Sequence, residues 1–200
     1  AQREKVIAGS NSAFSEVWWF YPSATSEEND RYVVYNYLEK TWYFGNLSRT
    51  AWIDKGIEDD PTAASAGFLY RHEVGNDDGS TNPVSSITSF IESSQIDIGD
   101  GDRFMFMRRV VPDLTFVGST SDAPSANFTM KARNFPGGNY LQSDENSVTR
   151  SATSPVEQFT DQVFVRLRGR SFAVRVESTA QGTQWRFGAP RVDIRPDGRQ

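Results

Sequence analysis

The chain has no cysteine among its 200 residues. Disulfides, thiolate metal sites and cysteine nucleophiles are therefore excluded together. Only one histidine is present, His72, so imidazole chemistry has a single candidate. No apolar run approaches the roughly eighteen residues that a membrane-spanning helix needs, and no signal-peptide pattern is visible. Nothing holds a 3.6-residue apolar period over three turns, which argues against α-helices. A phosphate-binding glycine loop, a zinc-binding helix motif and a nucleophile elbow are also missing from the sequence.

What the chain does have is rings. Aromatic residues make up 13% of a sequence that is otherwise polar, with a mean hydropathy of −0.56. Aromatic and β-branched residues suit pleated, half-buried surfaces, and fifteen Gly and nine Pro supply turns. The length fits one domain or two small ones with a real core. The first residue is Ala1 rather than Met, so a longer precursor is expected. Charge is uneven. From Val163 onward there are eight Arg against three acids, whereas residues 1–162 carry thirteen Lys or Arg against twenty-three acids. An acidic whole argues against tight nonspecific duplex binding, which depends on neutralising phosphates. The basic end is expected to pair with acidic surface, in the same protein or in a neighbouring copy, with a nucleic-acid patch as the alternative.

Strand patterns run throughout. "EVWWFY" (residues 16–21) stops at Pro22; "RYVVYNYLEKTWYFG" gives two short aromatic strands around a turn near Leu38–Lys40; "RTAWID" and "GFLYRHEV" follow. Short strands at a spacing of about ten residues, each with a Trp or Tyr, are what one propeller blade requires. Tyr32, Val34 and Asn36 point one way and Val33, Tyr35 and Tyr37 the other, so both faces of this sheet are expected to be covered. After "TNPVSS" the aromatic density falls. "RFMFMRRVVPDLTFVG" and "NFTMKARNF" read as strands, and "PGGNYLQSDENSVTRSATSP" as a long irregular stretch. In "VFVRLRGRSFAVRVES", Val163, Val165 and Leu167 share one face and Arg166 and Arg168 the other; Phe172, Val174 and Val176 repeat the pattern after a turn at Gly169. One apolar and one charged face per strand marks an antiparallel sandwich. The expected architecture is all-β: a propeller-like blade region over residues 1–80, a joint near 80 to 86, and an antiparallel β-sandwich over residues 81–200.

Candidate chemistry centres on "GFLYRHEVGNDDGS" (residues 67–80). His72 and Glu73 are adjacent, and neighbours on a strand point to opposite faces, so they make a poor base and orienting carboxylate. Aligning Asp78 and Gly79 with the helical calcium loop puts Val74 and Ser85 where oxygen ligands are needed, and that register fails. "DIGDGD" (residues 97–102) is better read as a hairpin turn. With twenty-six acids, the paired carboxylates of a polysaccharide hydrolase stay open, as does sugar stacking by Trp18, Trp19, Tyr21, Tyr35, Tyr37, Trp42 and Tyr43. Arg166, Arg168, Arg170 and Arg175 form the candidate subunit-interface row, meeting acidic loops such as "EDDP" or "EVGNDD". No catalytic residue, cofactor or metal site is expected.

Four segments, in order, resemble a known family: "EVWWFYPS…YVVYNYLEKTWYFG", "GFLYRHEVGNDDGS", "IESSQIDIGDGDRFMFMRRVVPDLTF" and "VRLRGRSFAVRVES…WRFGAPRVDIRPDGR". They are similar to the tail nozzle family of short-tailed bacteriophages, the tail tubular protein B-like or packaged-DNA-stabilisation proteins, over nearly the whole chain from about Glu16. Members are usually longer, with more propeller-type blades upstream. The resemblance implies a non-enzymatic virion protein, assembled in the host cytoplasm as a homo-oligomeric ring, typically a hexamer. Its implied partners are the phage adaptor or connector and the tail fibre or spike proteins, with double-stranded DNA passing through without sequence-specific binding. A carbohydrate-binding tail adhesin and a tail-associated polysaccharide hydrolase are the alternatives.

Overall fold

A computed structural model describes residues 2–97, 101–134 and 150–198. The protein is nearly all β, built from antiparallel sheets, and no described helix is long and apolar enough to cross a membrane. The chain divides into two compact units, Ala1–Gly75 and Asn76–Gln200, so the division lies a few residues ahead of the joint read near 80 to 86.

The first unit starts with β1 (Ile7–Asn11), β2 (Glu16–Tyr21), β3 (Arg31–Asn36) and β4 (Thr41–Asn46), a four-stranded meander in chain order. Next come β5 (Ala51–Ile53), β6 (Thr62–Ser65) and β7 (Phe68–Arg71), a separate three-stranded sheet. This corrects the reading that ran the "AWID" and "GFLYR" strands into the same sheet as "EVWWFY". The fourth strand is instead β1, whose "IAGSN" shows no aromatic signal. Gly9 explains its composition: a Cβ there would lie 2.2 Å from Cδ1 of Trp52, whose indole lies against this strand and donates to Ser10 O at 2.8 Å. The turn between β3 and β4 is fixed by Asn36, whose Oδ1 accepts from the backbone N–H of Leu38 (3.1 Å) and Glu39 (2.8 Å), with Lys40 at φ 56°.

Pairing puts Phe20, Trp18, Tyr32, Val34 and Tyr43 on one face of the meander. Trp18, Phe20 and Val34 are buried there against Ile7, Tyr32, Leu47 and Trp52. Trp18 stacks on Trp52 with centroids 5.2 Å apart and planes within 13°. Offset ring pairs of this kind add about 0.5–1.5 kcal/mol beyond area burial.

The second unit contains β8 (Asp77–Asp78), β9 (Ser85–Ser86), β10 (Ser89–Glu92), β11 (Ile96–Asp97), β12 (Met105–Val111), β13 (Leu114–Thr115), β14 (Ser125–Arg133) and β15 (Ser151–Glu157). It ends with β16 (Val163–Gly169), β17 (Ser171–Ser178), β18 (Arg186–Phe187) and β19 (Arg191–Pro196). One sheet runs β10-β17-β14-β15 with β11 also on β17, and another runs β16-β12-β19. Their inner faces enclose one core, including Met105, Met107, Val110, Phe128, Met130, Val165, Phe172 and Val176. Burying each such side chain contributes about 1.5–3 kcal/mol.

The tail of the stretch read as irregular, "SATSPVE", is strand β15. Among the described residues it pairs with β14 alone, and an edge strand tolerates Pro155, which has no N–H to donate. The irregular reading of residues 136–149, the last residue of the strand read in "NFTMKARNF", and the centre of the "DIGDGD" hairpin at residues 98–100 lie outside the described residues. At Gly169 the chain leaves one sheet for the other: β16 pairs with β12, whereas β17 pairs with β14 and β10. A Cβ at Gly169 would meet the Cβ of Ala132 at 2.9 Å and Arg133 O at 3.0 Å.

Candidate functional site

The residues singled out around His72 do not converge. Strand β7 ends at Arg71, and Glu73 takes a left-handed φ of 62°, so a regular alternation does not set their directions. His72 is half-buried against Trp52, with ring centroids 4.8 Å apart. Its Nε2 accepts from Arg49 Nε at 2.8 Å. Burial and the Arg49 charge hold its pKa down at about 4, so the ring is neutral at physiological pH. Glu73 turns instead to Asn11, whose Nδ2 donates to it at 3.2 Å. Desolvation, then the nearby charge of Glu16, raises the Glu73 pKa. Glu16 is buried, and both of its oxygens are engaged, by Trp18 Nε1 (3.0 Å) and Tyr43 OH (2.6 Å). Burial and that bond in turn raise the Tyr43 pKa. These carboxylates anchor the end of the meander.

The acids further along "GFLYRHEVGNDDGS" are also tied locally. Asp77 accepts the backbone N–H of Gly182 through both oxygens (2.8 and 2.9 Å), and Asp78 Oδ1 accepts that of Ser80 at 2.9 Å.

The aromatic set divides by strand register. Trp18 points into the core and the part-exposed Tyr43 shares its face, while Trp19, Tyr21, Tyr35, Trp42 and Phe44 share the opposite face. That face is not covered as expected: Trp42 is 63% and Phe44 79% exposed. Trp42 lies 5.9 Å from Trp19 with planes within 23°, and 4.5 Å from Tyr35. Tyr37 is exposed beyond the end of β3.

The arginine row divides as well. Arg175, on β17, bonds Glu92 (3.1 Å) and Glu177 inside its own unit, over the ring of Phe90. Glu92 also accepts from buried Lys131 at 2.8 Å, and these bonds lower its pKa. Arg170 donates to Asp102 O at 2.6 Å and lies over Phe104. Arg168 lies over the same ring and pairs with Asp197 at 2.5 Å. Arg166 alone of the four has no polar partner among the described residues.

Arg166 belongs to a surface that the sequence row did not show. The outer face of the β16-β12-β19 sheet carries Phe106, Arg108, Arg109, Phe164, Arg166, Arg168, Arg191 and Arg195, with Asp193 on the same face and Asp197 paired to Arg168. A register shift between Met107 and Arg109 is what exposes two consecutive arginines. Bulges redirect side chains in this way, and only a regular strand would have sent one of them inward. Phe106, Arg108, Phe164, Val165 and Arg166 line a half-open groove of about 580 Å³, and the Phe164 ring is 71% exposed. Arginine and aromatic residues without lysine make up the composition of protein–protein interface cores. No family model matches the sequence, and no curated protein matches it.

Proposed function

We propose that the chain is a structural subunit of the tail nozzle of a short-tailed bacteriophage. In this reading it forms the wall of the distal channel, which retains packaged DNA and conducts it at ejection. The meander β1–β4 would be one propeller-like blade and the second unit an antiparallel sandwich. The observation that carries the reading is the open aromatic face of the meander. A soluble monomer rarely leaves a contiguous patch of large rings in water, and such patches mark docking surfaces. The ordered resemblance of four segments supplies the kind of assembly: a homo-oligomeric ring in the virion, joined to an adaptor above and to fibres or spikes. A net charge of −5 suits a conduit, because an acidic wall repels duplex DNA and lets it slide. Negative-stain images of the purified chain test this: closed rings with a central channel are expected, and a compact monomer at high concentration overturns it.

A second reading rests on one feature. The near-parallel Trp19–Trp42 pair offers the flat apolar platform on which sugar rings stack, as a carbohydrate-binding adhesin would use. Binding on a glycan array that is lost in Trp42→Ala would favour it over the nozzle.

A further inference from the structure

The groove on the second unit has a counterpart on the first. Between β5 and β6 runs the turn "DKGIEDD" (residues 54–60). At its tip Ile57 is fully exposed, and Ile53 nearby is 68% exposed. Four acids surround them. Asp60 is paired with Arg71, and Asp54 accepts from Ser10 and Ser12, but the side chains of Glu58 and Asp59 have no polar partner among the described residues. The two patches are opposites in charge and alike in apolarity. One is a projecting isoleucine beside two carboxylates without a polar partner among the described residues; the other is a groove lined by Phe106, Phe164, Arg108 and Arg166, whose guanidinium groups likewise have no polar partner among the described residues. Guanidinium groups meet carboxylates as bidentate donors, and desolvation by the Ile57 and phenylalanine contacts strengthens such pairs.

We propose that the Ile57 turn of one copy seats in the Phe106–Arg108–Phe164–Arg166 groove of a second copy, Glu58 and Asp59 pairing with the two arginines. The contact is heterologous, since knob and groove are different patches. A bound pair keeps one knob and one groove unused, at opposite ends, so assembly must close a ring or extend a filament. This rests on the assembly reading above. It also narrows the interface row, dropping Arg168, Arg170 and Arg175, which are engaged in their own unit, and adding Arg108 from the bulge.

The test is sedimentation velocity of the full chain in two charge-reversed forms, Arg108→Glu/Arg166→Glu and Glu58→Arg/Asp59→Arg. Each alone presents like charges on knob and groove and should stay monomeric. Mixed in equal amounts they are complementary at every contact, and assembly should return, which misfolded variants would not permit. Ile57→Ser should weaken assembly roughly tenfold or more, the loss expected for one buried aliphatic side chain. If the unmutated chain assembles and both reversed forms assemble equally well, this contact is wrong while the assembly reading stands. If the mixture stays monomeric, the contact is likewise wrong. A chain monomeric at every concentration removes both. Retention of a fluorescent oligonucleotide through Arg108 and Arg166, without self-association, would assign the groove to nucleic acid instead and overturn the proposal.

Discussion

The two units reach stability by different means. The core cluster of the first unit is small, Trp18, Phe20 and Val34, joined through stacked rings and the bonds of Glu16, with Ala63 and Pro61 buried besides. The second encloses a broad core of aliphatic, methionine and phenylalanine side chains between two sheets. A small core leaves little reserve. At roughly 0.05–0.15 kcal/mol per residue, a unit ending at Gly75 holds only about 4–11 kcal/mol. It is also the unit with the larger open aromatic face, so it has most to gain from a neighbour.

Truncating one buried ring in each unit should separate them most strongly. Phe20→Ala and Phe128→Ala each cost about 3–5 kcal/mol by transfer and cavity terms. That loss consumes much of the first unit's reserve and a smaller share of the second's. Four of the five tryptophans, Trp18, Trp19, Trp42 and Trp52, belong to the first unit, so tryptophan fluorescence reports on it. Phe20→Ala should abolish the cooperative fluorescence transition, whereas Phe128→Ala should leave it in place at 25 °C.

Glycine substitutions come next. Gly9→Ala drives a methyl into the Trp52 ring and Gly169→Ala into Ala132 and the Arg133 carbonyl, and overpacking of this kind costs about 1–3 kcal/mol. Gly9→Ala should lower the midpoint of the fluorescence transition in urea, and Gly169→Ala should leave that transition unmoved.

Acid should act on the first unit through His72. Its folded pKa lies near 4, below the unfolded value of about 6.5. At pH above 6.5 both states are neutral and stability is flat. As pH falls from 6.5 to about 4 the unfolded state takes up the proton first, and stability drops by an amount on the order of 2 kcal/mol after allowing for partial exposure. His72→Gln should flatten this limb of a pH series of urea melts. Glu73 has the opposite sign and the smallest effect. Its pKa is raised in the fold, so its stabilising protonated form is lost as pH rises. Glu73→Gln should therefore raise the midpoint at pH 7 and match the unmutated chain in acid.

Much of the strand content was legible because alternation is local. The buried–exposed pattern of β16, with Val163, Val165 and Leu167 inward and Phe164 and Arg166 outward, follows from the sequence alone, as do β2 and β3. What was illegible depended on pairing. β1 is a strand because β2 supplies its register and Gly9 its clearance for Trp52, not because "IAGSN" alternates. Pro155 disguised β15, which is tolerable only on an edge. The row from Arg166 to Arg175 looked continuous, yet the crossing between sheets at Gly169 sends its members to different surfaces. Arg108 joins Arg166 only through a bulge, and no local pattern announces one. The alternation invoked for His72 and Glu73 stops at Arg71, the end of β7, and the tie of His72 to Arg49 joins residues far apart in the chain.

The most direct measurement is the assembly state of the full chain over a wide concentration range, by sedimentation velocity with parallel negative-stain imaging. Discrete higher-order species that image as closed rings with a central channel are expected. A single monomeric species throughout, with the aromatic face of the meander still exposed to solvent, would contradict the proposed role.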